Sequence, residues 1–416
     1  MVSNDTIDGM IDKAVFDPDE QVRSNERRKI REMASSMDIH SASIQGLYEA
    51  AGKGIYSHKT VPAINIRGMT YDVARAIFRM AQKHNTGAFI LELARTEMVY
   101  TGQPADEYVV AILAAAIKEK YIGPVFIQGD HFQLNRKNYL ASPGEEIKAI
   151  EDTTREAISA GFLNIDIDAS TLVDLDKPSL DEQQRDNFTV TANTTKLIRS
   201  IQPEGVNISV GGEIGEIGKS NTTVDELRTF MKGYTASIGE GQTGISKMSV
   251  QTGTTHGGVV LPDGSIAEVK LDFNTIKELS KVAKEEFGLG GIVQHGASTL
   301  PNEMFEIFPE SDTLEIHLAT GFQNIIYDNP RFPEDLTIEI SNHLKEKRAD
   351  EWSPSDTEEQ FLYKTRKKAF APFKKELWSL SEDIKKEIMG ELEAQFSHLF
   401  RSLNVTDTME LVNKCV

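Results

Sequence analysis

Eight short runs rich in β-branched and other apolar residues recur through the middle of the chain, separated by segments with helical periodicity. The runs are 63–66 (AINI), 88–93 (AFILEL), 124–128 (PVFIQ), 162–167 (FLNIDI), 207–210 (NISV), 247–250 (KMSV), 291–294 (GIVQ) and 314–317 (LEIH). Between them lie amphipathic stretches such as 71–83, 107–120, 145–160 and 273–286. Strands that alternate with helices imply parallel βαβ units, because a parallel neighbour can be reached only by a crossover. Eight such units in about 260 residues predict a closed α/β barrel, a TIM (β/α)8 fold, over an open sheet.

The flanks obey a different pattern. Residues 1–60 are charged and mostly helical (SNERRKIREMASSM), the barrel is expected over 61–335, and 336–416 interleaves both charge signs with apolar residues at helical spacing. Such a pattern is that of a helix with a solvated face and a packing stripe. Two roles stay open for the C-terminal tail: packing or self-association, and covering an active site. Self-association as a homo-oligomer is the expectation.

Charge and cysteine content remove several classes of function. The formal net charge of −19 repels nucleic acid and anionic membranes, so neither is an expected partner. It also repels a phosphorylated metabolite at long range, so any such substrate must be caught by a metal, an arginine or clustered backbone N–H groups. No apolar run reaches the roughly 18 residues of a membrane span, and the N-terminus has no signal-peptide pattern. Cys415 is the only cysteine. A disulfide framework within the chain is excluded, and a reducing cytoplasm is the default location.

In a TIM barrel the chemistry sits where strands run into βα loops. The third run ends Gly129–Asp130–His131 and the fourth Asp166–Ile167–Asp168. The fifth leads into Gly212–Glu213–Ile214–Gly215 and the sixth reaches Thr255–His256–Gly257–Gly258. The seventh ends His295–Gly296–Ala297–Ser298, and the eighth His317–Leu318–Ala319–Thr320–Gly321. A lone strand-end histidine is most simply a hydrogen-bonded structural residue. Three on separate strands, His131, His256 and His295, form a candidate metal site, because neutral imidazole is a favoured Zn²⁺ ligand. The small residues Gly257, Gly258, Gly296, Ser298 and Thr320 allow backbone N–H groups close to an anion, and the last strands of such barrels often build a phosphate site.

Four of these motifs, GDH at 129–131, GEIG at 212–215, TGTTHGG at 252–258 and HGAS at 295–298, occur in the order seen in class II ketose-bisphosphate aldolases. The chain resembles that family over 61–324. The resemblance implies a lyase that cleaves a ketose 1,6-bisphosphate, fructose 1,6-bisphosphate by default, to dihydroxyacetone phosphate and an aldehyde. His131, His256 and His295 would hold one catalytic Zn²⁺, and Glu213 and Asp168 would lie near it, as carboxylates for a second or monovalent cation. Asp130 would be the acid/base at the hydroxyl of the bond being broken, although orienting a histidine or capping a helix are alternative roles for it. Gly257, Ser298 and Thr320 would hold phosphate, and Asn65 matches the family's asparagine on the first strand. Zinc would act as a Lewis acid on the developing enediolate charge.

The sequence also departs from the family. Glu216 stands near the place of the glutamate in the usual GGEED continuation and is the candidate replacement for proton transfer at carbon. His317 replaces an asparagine, so it is a ligand replacement, a substrate contact or a packing residue. Ala94 replaces a serine and is followed by Arg95, a candidate clamp for phosphate or another anion, with a surface ion pair as the alternative. GDHFQLNRKNYL followed by AGFLNIDIDAS is similar to the Z-type subunit of tagatose-bisphosphate aldolase. Two alternatives to a standard aldolase therefore stand: a non-catalytic sugar-phosphate-binding subunit supporting a partner, and an aldolase for an unusual ketose phosphate, such as a deoxy or sulfonated one.

Overall fold

A computed structural model describes residues 4–215, 220–253 and 271–416. Nine strands are formed among them: β1 (Ser41–Ala42), β2 (Val61–Asn65), β3 (Ile90–Ala94), β4 (Val125–Gln133), β5 (Asn164–Asp168), β6 (Ser209–Gly215), β7 (Lys247–Val250), β8 (Ile292–Gln294) and β9 (Glu315–Leu318). Every pairing is parallel, and β2 to β9 pair in sequence order until β9 meets β2 again, closing an eight-stranded barrel. β1 stands outside the ring, with Ser41 and Ala42 paired to Val125 and Phe126. Each of the eight runs overlaps one barrel strand, as the TIM-barrel expectation requires.

The strands read as continuous apolar runs because helices cover the barrel's outer face. Ile64, Leu91, Ile127, Ile165, Val210, Met248 and Ile292 are fully buried. The helix Thr70–Lys83 shows the matching arrangement: Val73, Ala74, Ile77, Phe78 and Ala81 face the core, while Arg79 on the other side pairs with Glu119 and Glu393. Helix starts are set by local capping. Thr223 and Glu226 form a reciprocal box ahead of Val224–Ile238, and the Asp272 carboxylate accepts from the N–H groups of Asn274 and Thr275 ahead of Phe273–Phe287.

Both flanks join the barrel's core: a single apolar cluster runs from Ile7 to Val412. The long helix Glu382–Ser402 packs on Thr70–Lys83, and Phe396 meets Phe322 with ring centroids 5.1 Å apart. Near the C-terminal mouth of the barrel, the Phe370 ring lies where a side chain on Gly68 would be, 2.1 Å from an ideal Cβ, so only glycine fits there. Lys374 donates to the Gly102 carbonyl at 2.7 Å. The C-terminal segment therefore borders the end of the barrel where the strand-end polar residues collect. No helix among the described residues is long and apolar enough to cross a membrane.

Candidate metal centre

Neighbouring side chains on a regular strand point to opposite faces, yet Asp130 and His131 both line one cavity of about 400 Å³ at the barrel mouth. A bulge in β4 makes this possible. Gly129 pairs with Ile165 and Phe132 with Ile167, so β4 carries one residue more than β5 across this stretch. His131 takes the strain, with φ of 40° in the left-handed region. Gly129 leaves space for the turn, since a Cβ there would fall 2.5 Å from the Phe132 ring. A second bulge, in β6 between Glu213 and Gly215, re-aims the end of that strand.

The side chains so placed converge. His131 Nδ1 lies 3.1 Å from a Glu213 oxygen and 3.2 Å from Asp168 Oδ2. The His295 ring is sandwiched, with centroids 4.1 Å from His131 and 4.0 Å from His317. His317 Nδ1 lies 2.9 Å from a Glu92 oxygen and 3.1 Å from Asp130 Oδ1, and its Nε2 lies 2.7 Å from Glu315 Oε1. Two donor sets share His295: His131 with Glu213, and Asp130 with His317. In each set the potential ligand atoms lie within 4.8 Å of one another.

The class II fructose-bisphosphate aldolase family model matches residues 42–376. The chain belongs to that family. Solved structures show the same fold at low identity. The YdjI aldolase from Escherichia coli superposes with a TM-score of 0.53 at 13% identity, over 88% of this chain and 99% of its own. The fructose-bisphosphate aldolase of Campylobacter jejuni gives 0.50 at 16% identity, over 89% and 97%. No curated protein sequence matches the chain.

The electrostatics of the cavity fit a bound cation. Burial, together with the Asp168 charge, pushes the Glu213 carboxyl up to about 7. Burial and the Asp130 charge push Glu92 up to about 8. Burial disfavours charge on His131, but the Asp130 and Glu213 carboxylates outweigh it and hold the imidazole well above its usual range. These are the signs of crowded, buried negative charge around nitrogen donors. A divalent ion relieves that crowding while using the same imidazole and carboxylate atoms. Zinc dependence is general in the family, and the donor set present here suits it.

The remaining expected site residues fall as follows. Asn65 lines the cavity and donates to Glu97 at 2.5 Å; Gly296, Ser298 and Thr320 line it too. Ser298 Oγ accepts from the Ala319 N–H at 2.6 Å. His317 also faces the cavity, while Asp168 supports His131 from behind. His256, Glu216, Gly257 and Gly258 lie outside the described residues. Arg95 is not brought to the cavity: its guanidinium donates to the Gln133 carbonyl at 3.1 Å and to Glu146 at 3.2 Å. Glu146 is fixed there by the Asn135 N–H and the Asn138 amide, so the arginine is drawn outward.

Several groups in the cavity escape a reading by motif. Arg67 lines it and is clamped by Glu97, with Nε 2.8 Å from the carboxylate. It lies two residues beyond Asn65, so the strand-end argument could have found it. Glu92 was visible as a carboxylate inside an apolar run. Lys367, from the C-terminal segment, also lines the cavity, with its ammonium 5.7 Å from the Tyr100 ring centroid. Nothing in its local sequence distinguishes it from its lysine and arginine neighbours.

Proposed function

We propose that the chain is a zinc-dependent aldolase acting on a ketose 1,6-bisphosphate, with fructose 1,6-bisphosphate as the first substrate to test. The observation that carries this reading is the meeting of His131, His295 and Glu213, with both histidines lining a cavity that also holds Asp130, the nearest Asp130 oxygen being 3.9 Å from His131 Nε2. Zinc, when bound, supplies Lewis acidity that stabilises negative charge on substrate oxygens. His131 and His295 would hold it, with Glu213 beside them and His256 assigned from its motif alone.

Asp130 takes the proton from the hydroxyl at the carbon of the departing aldehyde. The C–C bond breaks as that hydroxyl becomes the aldehyde carbonyl, and the electron pair stays on the dihydroxyacetone phosphate half. A second proton then reaches the carbon of the dihydroxyacetone phosphate half that kept the electron pair, and Glu216 is its assigned donor by position in the motif. Asp168 orients His131 through its 3.2 Å contact. Gly296, Ser298 and Thr320 accept the phosphate nearest the ketone, joined by Gly257 and Gly258 on motif grounds. Arg67 and Lys367 supply positive charge for the far anionic group, the role first assigned to Arg95. In a chain of net charge −19, that local charge is what admits an anionic substrate. The chain is taken to work as a homo-oligomer in the cytoplasm.

The test is cleavage of fructose and tagatose 1,6-bisphosphates and the corresponding monophosphates by the purified chain, before and after chelation. The reading requires zinc-restorable cleavage of at least one bisphosphate. Absence of cleavage across the panel would overturn it and favour a non-catalytic role, and cleavage indifferent to a chelator would overturn the zinc dependence.

A further inference from the structure

Below the cavity, the inside of the barrel is charged where such barrels are usually filled by branched apolar side chains. Lys247 on β7 is 1% exposed, Glu315 on β9 is fully buried, and Asp166 on β5 is 6% exposed. The Lys247 ammonium donates to Glu315 Oε1 at 2.6 Å, Gln128 Oε1 at 2.8 Å and Asp166 Oδ2 at 2.9 Å. An ammonium has three hydrogens, and here each has an acceptor. Gly211 makes room for the arrangement: a Cβ there would fall 2.3 Å from Asp166 Oδ1 and 2.9 Å from Lys247 Cε.

The same two carboxylates, with His317, form a third set of donors close enough to hold a metal ion. The lysine occupies the carboxylates of that set. Glu315 Oε1, which Lys247 grips, is also the atom 2.7 Å from His317 Nε2, and His317 stacks on His295. The Tyr48 hydroxyl closes the cluster from beneath by bonding to Glu315.

We infer that Lys247 is a built-in cation: it fills a carboxylate cage that would otherwise take a second metal ion, and it fixes Glu315 so that His317 stays packed on His295. The chain thereby confines its exchangeable metal to the cavity above. Lys247 is on this account a positioning residue, without contact to substrate. The inference rests on the proposed metal centre, and its test separates the two.

The experiment is zinc titration of the full-length apoprotein with a competing indicator, with metal content measured after gel filtration. Wild type is expected to hold one tight zinc per chain, Lys247→Met two, and Lys247→Arg one, because arginine restores the charge. A folded Lys247→Met that holds no more zinc than the wild type, or two zinc ions on the wild type, overturns the role given to Lys247. A wild type without zinc instead contradicts the proposed metal centre, while zinc gained on Lys247→Met alone would still support the caged-lysine reading. Should Lys247→Met fail to fold, the combined variant Lys247→Met/Asp166→Asn/Glu315→Gln removes the cage charge with the ammonium. It is expected to fold and hold one zinc; two zinc ions, or none where the wild type holds one, would overturn the inference.

Discussion

Asp130 and His131 are adjacent in the chain and yet both face one cavity, because His131 adopts φ of 40° within a bulge of β4. A regular strand would have turned one of them to the outside. The bulge is thus what allows one dipeptide to supply both the proposed metal ligand and the proposed acid/base. Asp130→Asn keeps the shape and removes the base. It is expected to lower kcat by about 10²–10⁴-fold while zinc content stays at the wild-type level. Equal kcat in steady-state cleavage assays would remove Asp130 from the mechanism.

The bulge itself depends on Gly129. A methyl group there would lie 2.5 Å from the Phe132 ring, so Gly129→Ala forces either the ring or the strand to move. Overpacking of this kind is expected to destabilise by roughly 1–3 kcal/mol. Thermal unfolding should show a lower Tm, with zinc affinity reduced as well because His131 shifts with the strand. An unchanged Tm and unchanged zinc affinity would mean that the bulge tolerates a side chain.

Arg67 and Arg95 are predicted to differ, although each follows a barrel strand. Arg67→Ala and Lys367→Ala should each raise KM for a bisphosphate at least several-fold, with smaller changes in kcat, because they remove charge that meets the far anion. Arg95→Ala should leave kcat/KM close to wild type and instead loosen the contact with Glu146 and Gln133. Steady-state kinetics on the three variants decides it, and a reversed order would reassign the anion site.

Much of this architecture is legible in the sequence. β-branched runs at regular spacing report parallel strands whatever the tertiary details, and strand ends mark the functional face. Which arginine turns inward was not legible, since that depends on Glu97 and Glu146 competing for partners brought together only by folding. Nor was Lys247. Its run KMSV reads as an ordinary strand, and the carboxylates that hold its ammonium come from two other strands. Lys367 reaches the cavity from the C-terminal flank, for which packing or self-association was expected ahead of covering the site.

The N-terminal helix gives a pH prediction outside the cavity. Burial raises the Asp8 carboxyl, but hydrogen bonds from Lys118 at 2.6 Å and Tyr71 at 2.5 Å outweigh it, so the group sits below its ordinary value of 3.8. A lowered folded-state value means the unfolded chain binds this proton more readily. The contribution is therefore fully present above about pH 5 and fades as pH falls through 3.8 and below. Asp8→Asn should lower Tm at pH 7, and the gap to wild type should close as the pH approaches 3. A gap that is constant with pH would show that the side chain acts without its charge.

Zinc binding at the proposed centre is expected to depend on pH as well, because imidazole nitrogens must be unprotonated to coordinate. Asp168 orients His131 without being its only carboxylate neighbour. Asp168→Asn is accordingly expected to weaken zinc binding by roughly 10–100-fold rather than abolish it. Competition titration reads this directly, and wild-type affinity in the variant would remove Asp168 from the support of the centre.

Anomalous diffraction from zinc-loaded crystals, recorded at the zinc edge, tests the centre most directly. The account predicts one strong peak per chain in the space enclosed by His131, Glu213 and His295, close to Asp130. A peak elsewhere, or none in crystals grown with excess zinc, would contradict it.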